Sequence, residues 1–289
     1  MRPSISVIFT TYNQPVWLHK VLVGFSIQTF TDFEVIIADD GSGPETKSVI
    51  EDAKTWAPYP IKHVWIEDTG YHKCDILNMA IMQSEADYLV FTDGDCIPRK
   101  DFLEVHWHQK SPRRFLSGGA VRLPMGISLA ITDEDIKSGR AFDRTELNKL
   151  VEGEKVKSLK LSRCPFVPLF MNAVSTVKAS WNGNNSSCYK EHILAVNGMD
   201  ERMKYGGQDR QLGERLTNIG IRGKLVRYKA IMVHLDHKRG YVTEEGWKFN
   251  NQLRKETRSK KVKWSPYGIL KVDTCPEDLW QASELRKNS

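Results

Sequence analysis

The stretch Tyr88-Leu-Val-Phe-Thr-Asp-Gly-Asp-Cys-Ile-Pro98 decides how the chain reads. Tyr88, Leu89, Val90 and Phe91 form an apolar run without alternation, the pattern of a central parallel strand covered on both faces. Such strands present their sites at their carboxyl ends, so Asp93 and Asp95 arrive where a ligand would bind. Gly94 between them adds no side chain and permits a sharp bend. Two hard carboxylates near one point suit Mg²⁺ or Mn²⁺. An Asp-Gly turn closing a hairpin fits the three residues equally well. The surrounding chain has to decide.

Working back from it, Ile5-Ser-Val-Ile-Phe-Thr-Thr-Tyr-Asn13 is a β-rich run, after which Pro15 opens an amphipathic helix carrying Trp17, Leu18, Val21, Leu22 and Phe25. Phe33 to Ala38 is a second buried strand ending in Asp39-Asp40-Gly41-Ser42, followed by a helix over Glu45 to Lys54. Ile61 to Glu67 reads as a third strand, and a helix from Lys73 to Gln83 leads into Tyr88. Strands alternating with helices predict an α/β fold with a parallel, doubly wound sheet. Polar residues recur where the strands end: Thr10 and Tyr12, then Asp39 and Asp40, then Asp93 and Asp95. One sheet edge would collect them all.

Composition narrows the classes. The chain has 289 residues, enough for one large domain or two small ones, with ordinary hydrophobic (40%) and charged (27%) content. A net charge of +6 suits anionic substrates or membrane surfaces. No basic recognition helix, zinc spacing or ribonucleoprotein-type aromatic motif accompanies that charge, so nucleic acid is not an expected partner. Five widely spaced cysteines without a C-x-x-C pair suggest reduced thiols. The opening residues run straight into a strand and no apolar stretch reaches the ~20 residues of a membrane span. A cytoplasmic protein, peripheral at most to the inner face of the cell membrane, is the expectation. The Asn184 and Asn185 sequons then carry no glycan.

Val7-Ile-Phe-Thr-Thr-Tyr-Asn13, Gln28-Thr-Phe-Thr-Asp-Phe-Glu34, Ala38-Asp-Asp-Gly-Ser42 and Thr92-Asp-Gly-Asp95 come in the order and spacing of glycosyltransferase family 2, and the first hundred residues resemble its nucleotide-sugar half. The resemblance implies a GT-A (Rossmann-like) fold: a mostly parallel sheet flanked by helices in a single compact unit. By the same resemblance Thr10 and Tyr12 border the nucleoside, Asp40 accepts the uracil imide N–H, Lys73 faces the diphosphate, Asp93 lies near the ribose and Asp95 holds the metal.

Further on, Ser180 to Lys190, Val196 to Arg202 and Lys204-Tyr-Gly-Gly-Gln-Asp-Arg-Gln-Leu212 resemble the acceptor-side segments of the family, including those of galactosyl- and N-acetylgalactosaminyltransferases. Trp181, Asn185, Gly207 and Gln208 are the implied acceptor or sugar contacts, and Asp209 the implied base. Gln208 departs from the glutamate common there. Asp209 read without that resemblance is an ordinary acid at a helix start. Lys224 to Val233 reads as a last strand delivering His234 and His237, either of which adds an imidazole suited to Mn²⁺. The resemblance favours His234 as ligand and leaves His237, with Lys238 and Arg239, to meet phosphate.

Less is legible elsewhere. Gly118 to Leu123 reads as a strand, Thr132 to Lys160 as one or two surface helices starting near Asp133, and Pro165 to Pro168 as a loop. Trp247 to Trp264 is a basic helix, either solvated or a peripheral anchor on anionic lipid. The expected division is 1–116 for the nucleotide-sugar half, 117–245 for the acceptor-binding and catalytic half, and 246–289 for a basic extension. The implied activity is metal-dependent inverting transfer of galactose or an N-acetylhexosamine from a UDP-sugar, with Mn²⁺ or Mg²⁺, to a glycan or lipid-linked acceptor. A non-catalytic nucleotide-sugar or glycan-binding protein, a retaining transferase and a nucleotidyltransferase are the alternatives.

Overall fold

On β1 (Ile5–Thr11), Val7 and Phe9 enter one apolar cluster while Ile8 enters another, so the strand is covered on both faces. Pro15 starts α1 (Pro15–Ser26) at a position whose N–H would have no helical partner. The buried face of α1 carries Trp17, Leu18, Val21, Leu22 and Phe25, and the Phe25 ring stacks on Phe9 at 5.8 Å. β2 (Phe33–Asp39) divides as β1 does, with Val35 and Ile37 on one side and Ile36 and Ala38 on the other. α2 (Pro44–Trp56), β3 (Ile61–Trp65), α3 (Lys73–Gln83) and β4 (Tyr88–Asp93) complete the alternation read from the sequence. The four strands lie parallel in the order β3-β2-β1-β4, and Val7 is level with both Val35 and Val90.

The later elements are β5 (Cys96–Pro98), α4 (Phe102–Gln109), β6 (Arg114–Ser117), β7 (Gly119–Arg122), α5 (Met125–Ala130), α6 (Asp133–Lys137), α7 (Arg144–Leu150), α8 (Phe166–Ala173), β8 (Ser186–Tyr189), α9 (Lys190–Leu194), α10 (Gln208–Asn218), β9 (Arg222–Leu225), β10 (Ile231–His234) and α11 (Glu244–Ser259). β8, β6 and β9 extend the first sheet to seven strands, with β8 antiparallel to both neighbours. β5, β10 and β7 make a separate three-stranded sheet. The structure is a computed structural model that describes residues 2–162, 164, 166–237 and 243–273. Pro165, Lys238, Arg239, Cys275 and the Trp280 segment lie outside those residues.

Two readings need correction, and one strand was missed. Lys224 to Val233 is not one strand: a turn in which the Lys229 and Ala230 N–H groups donate to the Val226 carbonyl breaks it, sending β9 to the large sheet and β10 to the small one. The segment around Pro168 is helical, because a proline in the first turn of α8 removes an N–H that has no intrahelical acceptor. The strand β8, Ser-Ser-Cys-Tyr, was not legible: its buried hydroxyls are satisfied internally, Ser187 by Tyr88 and His106.

α11 is built into the later half rather than appended at residue 246. Its Asn250 amide donates to the carbonyls of Lys204 and Gly206, and Arg254 and Arg258 both reach Glu214 on α10 at 2.7 Å. Lys248 and Lys260 pair with Glu244 and Glu256. Among the described residues no helix is long and apolar enough to cross a membrane, and the four described cysteines are free thiols.

Candidate active site

The carboxyl ends of β1, β2 and β4 open on one cleft of about 920 Å³, lined by Thr10, Tyr12, Asp40, Lys73, Asp93, Asp95, Trp181, Gly207, Gln208, Asp209, His234 and His237, among others. Sheet register is what brings the first group together. Thr10 pairs across from Asp93, and its hydroxyl sits 3.4 Å from that carboxylate. Gly94 is glycine because the backbones meet there: its N–H donates to the Thr10 carbonyl at 2.8 Å, and a Cβ would lie 2.8 Å from the same oxygen. Closeness, not an unusual φ, is the requirement.

Of the acids after β2, only Asp40 faces the cleft. Asp39 is spent on the loop, accepting from the Ser42 N–H at 2.8 Å and standing 2.9 Å from His63 Nε2. Asp40 accepts from the His72 N–H, and burial raises its carboxyl to about 6. Tyr12, 44% exposed, is held over the opening by its hydroxyl, which donates to Asp68 at 2.8 Å. Lys73, expected to face phosphate, donates to Asp93 at 2.7 Å. Burial opposes its charge, but Asp93 and the nearby Tyr71 and Asp95 outweigh burial and raise its pKa.

Asp95, His234 and His237 offer ligand atoms that all lie within 4.8 Å of one another. His237 Nε2 is 2.9 Å and His234 Nε2 3.7 Å from the same Asp95 oxygen, and the two rings stack with centroids 5.7 Å apart. Burial works against the Asp95 charge, yet the hydrogen bond from His237 and the charges of both histidines leave its pKa below the usual value. A carboxylate with two imidazoles is a donor set that fits Mn²⁺. His237, read from the sequence as a phosphate contact, thus joins the cluster alongside His234. Cys96 also approaches, but its thiol is held protonated by burial and donates to Asp95, so it is a poor ligand. The pairing of β10 with β5 sets this geometry: His234 lies across from Cys96, and the Leu235 N–H donates to the Asp95 carbonyl.

Across the cleft, Gly206 and Gly207 adopt φ of +112° and +87°. A Cβ on Gly206 would meet the Trp247 ring at 2.9 Å, so glycine serves both the turn and the docking of α11. Asp209, in the first turn of α10, accepts from the Gly183 and Arg210 N–H groups, which fix its orientation at the cleft wall. The Gln208 amide does two things a carboxylate could not do together: its oxygen accepts from the Gly206 N–H while its nitrogen donates to the Tyr71 hydroxyl. Trp181 forms the floor, almost fully buried with its ring edge-on to Phe91 and Phe115.

Asn185 is not a cleft residue. It is fully buried, with its amide nitrogen donating to the Gly119 and Ala230 carbonyls and its amide oxygen 3.1 Å from His106 Nε2. Its polarity closes a gap between two sheets. Conversely, sequence reading missed Arg122, Tyr71, Tyr205, Trp247 and Arg254, all of which line the cleft. Only Arg122, closing a recognised strand, carried any signal.

Comparison with known proteins follows the same geography. The family described as Glycosyl transferase family 2 matches residues 6–110, the segment holding β1 to β4 and both acids of the D-x-D. That match covers about a third of the chain, 105 of its 289 residues. The chain is similar to Escherichia coli chondroitin synthase (23% identity over 236 residues, 75% of this chain and 32% of that protein) and to an uncharacterized glycosyltransferase, YfnE, of Bacillus subtilis (25% over 261 residues, 80% and 64%). It is also similar to the glycosyltransferase AglE of Haloferax volcanii (34% over 104 residues, 35% and 34%). The chain therefore spans less than two thirds of the length of these relatives. Among solved structures, Staphylococcus aureus TarS in complex with UDP-GlcNAc superposes with a TM-score of 0.61 at 15% identity, covering 89% of this chain and 69% of that one. The mannosyltransferase PcManGT of Pyrobaculum calidifontis, in complex with GDP-Man and Mn²⁺, gives 0.57 at 17% identity, with 99% and 69% covered. The likeness shows the GT-A fold.

Proposed function

We propose that the chain is a metal-dependent, inverting glycosyltransferase that moves galactose or an N-acetylhexosamine from a UDP-sugar to a hydroxyl of a surface-glycan or lipid-linked precursor. One observation carries this reading: Asp40, Asp93 with Lys73, the Asp95–His234–His237 cluster and Asp209 all face a single cleft. The UDP-GlcNAc bound by TarS and the Mn²⁺ bound by PcManGT support the donor and the metal.

Asp40 and Tyr12 take the uridine: the carboxylate accepts the imide N–H, and the Tyr12 ring walls the base. Asp93 takes a ribose hydroxyl, held in place by Lys73. Asp95, His234 and His237 would hold Mn²⁺, which when bound supplies positive charge to the departing diphosphate. Lys73 adds a second cation beside the phosphates. On the opposite wall Asp209 accepts the proton of the acceptor hydroxyl as its oxygen attacks the anomeric carbon, and the carbon–oxygen bond to UDP breaks on the far side, which inverts the configuration. With a lipid-linked acceptor the reaction would take place at the inner face of the cell membrane.

Screening UDP-sugars for metal-dependent UDP release, with the anomeric configuration of the product read by nuclear magnetic resonance, tests the proposal. Inverted product supports it. Retained configuration, pyrophosphate release, or UDP binding without turnover on a broad acceptor panel points instead to a retaining transferase, a nucleotidyltransferase or a binding protein.

A further inference from the structure

The helix α8 exposes an apolar face that nothing in the described chain covers. Phe166 is 74% exposed, Phe170 64% and Val174 50%. Spaced four apart they share one side of the helix, whose last turn continues through Val174, since its N–H donates to the Phe170 carbonyl at 3.0 Å. Leu159 before the helix and Val177 after it are also exposed.

Charge says what kind of surface this face meets. From Lys155 to Lys190 the sequence contains no aspartate or glutamate, but it contains Lys155, Lys157, Lys160, Arg163, Lys178 and Lys190. Lys160 and Lys190 are turned inward onto the carbonyls of Ala120 and Ser84, whereas Lys155, Lys157 and Lys178 are exposed. An apolar helix face within a segment that carries cations and no acid matches an anionic lipid surface, into which the rings sink while the lysines meet headgroups. A second copy of the same face would bring lysine against lysine. The basic helix α11, by contrast, pairs Lys248, Arg254, Arg258 and Lys260 with acids of its own and of α10, so the lipid-facing part of the chain is reassigned away from it.

We propose that α8, together with the exposed Lys155, Lys157 and Lys178, docks the protein on an anionic bilayer. The docking sits close to the cleft. Upstream, Lys160 holds the β7 strand whose last residue, Arg122, lines the cleft. Downstream, the eight steps of chain from Ala173 to Trp181 at the cleft floor span at most roughly 28 Å. Docking there would present the opening to an acceptor held in the membrane. That last use rests on the glycosyl-transfer reading; the lipid binding does not.

The test is cosedimentation of the full chain with vesicles of phosphatidylcholine alone or mixed in equal parts with phosphatidylglycerol, which involves no turnover. The native chain is expected to bind only the mixed vesicles and to release as salt rises. Phe166→Asp/Phe170→Asp should weaken partitioning by about a hundredfold, from the loss of two buried rings, with circular dichroism and Tm unchanged. Lys155→Gln/Lys157→Gln/Lys178→Gln, all at exposed positions, should also lower it, by at least about tenfold, and keeps the test decisive if the apolar substitutions disturb folding. Binding of neither vesicle, equal binding of both, or unaltered binding by both variants overturns the proposal. So does a concentration-dependent dimer, seen by analytical ultracentrifugation, that the phenylalanine variant abolishes.

Discussion

Asp40→Asn should raise the stability of the protein while reducing its hold on uridine. Burial lifts the Asp40 carboxyl from 3.8 to about 6, so between those values the folded chain keeps a proton that the unfolded chain has released. The stability attached to that proton is complete below about pH 4 and is lost as pH rises through about 6. A tenfold change in proton affinity corresponds to about 1.4 kcal/mol, which puts the cost at neutral pH at no more than about 3 kcal/mol, and solvent screening through the open cleft brings it nearer to about 1–2 kcal/mol. Asparagine removes the cost because it carries no charge to bury. Recognition moves the other way. If the ionised carboxylate accepts the imide N–H, it is about 99% available at pH 8 and about 10% at pH 5, so native affinity should fall roughly tenfold between them. The ligand to titrate is uridine in metal-free buffer, since it brings no phosphate and engages no metal cluster. Calorimetry from pH 8 to 5 on both proteins, with thermal melts at pH 7.5, completes the set. A flat native profile, or a variant with the same slope, would refute the assignment of Asp40 as reader of the base.

Asp95→Asn should abolish measurable Mn²⁺ binding followed by electron paramagnetic resonance, and His234→Ala and His237→Ala should each weaken it; a change confined to His234 would detach His237 from the cluster. Asp209→Asn keeps an oxygen to accept the Gly183 N–H, so UDP affinity should persist while turnover on a true acceptor drops by about 10²- to 10⁴-fold, and near-native turnover would remove Asp209 as the base. Gly206→Ala should lower stability by about 1–3 kcal/mol in a urea titration, because φ of +112° and the Trp247 ring both exclude a Cβ; no change in midpoint would show that α11 adjusts freely.

The amino-terminal sheet was legible because a parallel strand buried on both faces is apolar along its core, and Val7 to Phe9, Val35 to Ala38 and Tyr88 to Phe91 are. The polar residues that end those strands were legible for the same reason: Thr10, Asp40 and Asp93 stand out against an apolar run. β8 was hidden by its serines, which interrupt the apolar pattern of a buried strand although Tyr88 and His106 satisfy Ser187 in the interior. Asn185 misled in the opposite sense, since a buried amide joining two sheets has the same spelling as one that meets a ligand. Trp247 and Arg254 reach the cleft only through the packing of α11 on α10, a long-range contact with no local signature.

The placement of β10 between β5 and β7 imposes an order on folding. Asp95 belongs to an early β-α half whose contacts are mostly between neighbouring elements, whereas His234 arrives from roughly 140 residues further along and is held by pairing with Cys96 and by the Leu235 bond to Asp95. Closing so long a loop is slow, so a chain emerging from the ribosome acquires the Asp40 pocket before it has any metal cluster. Refolding followed by both probes would show uridine binding recovered ahead of Mn²⁺ binding, and a chain ending before Ile231 would never gain the latter.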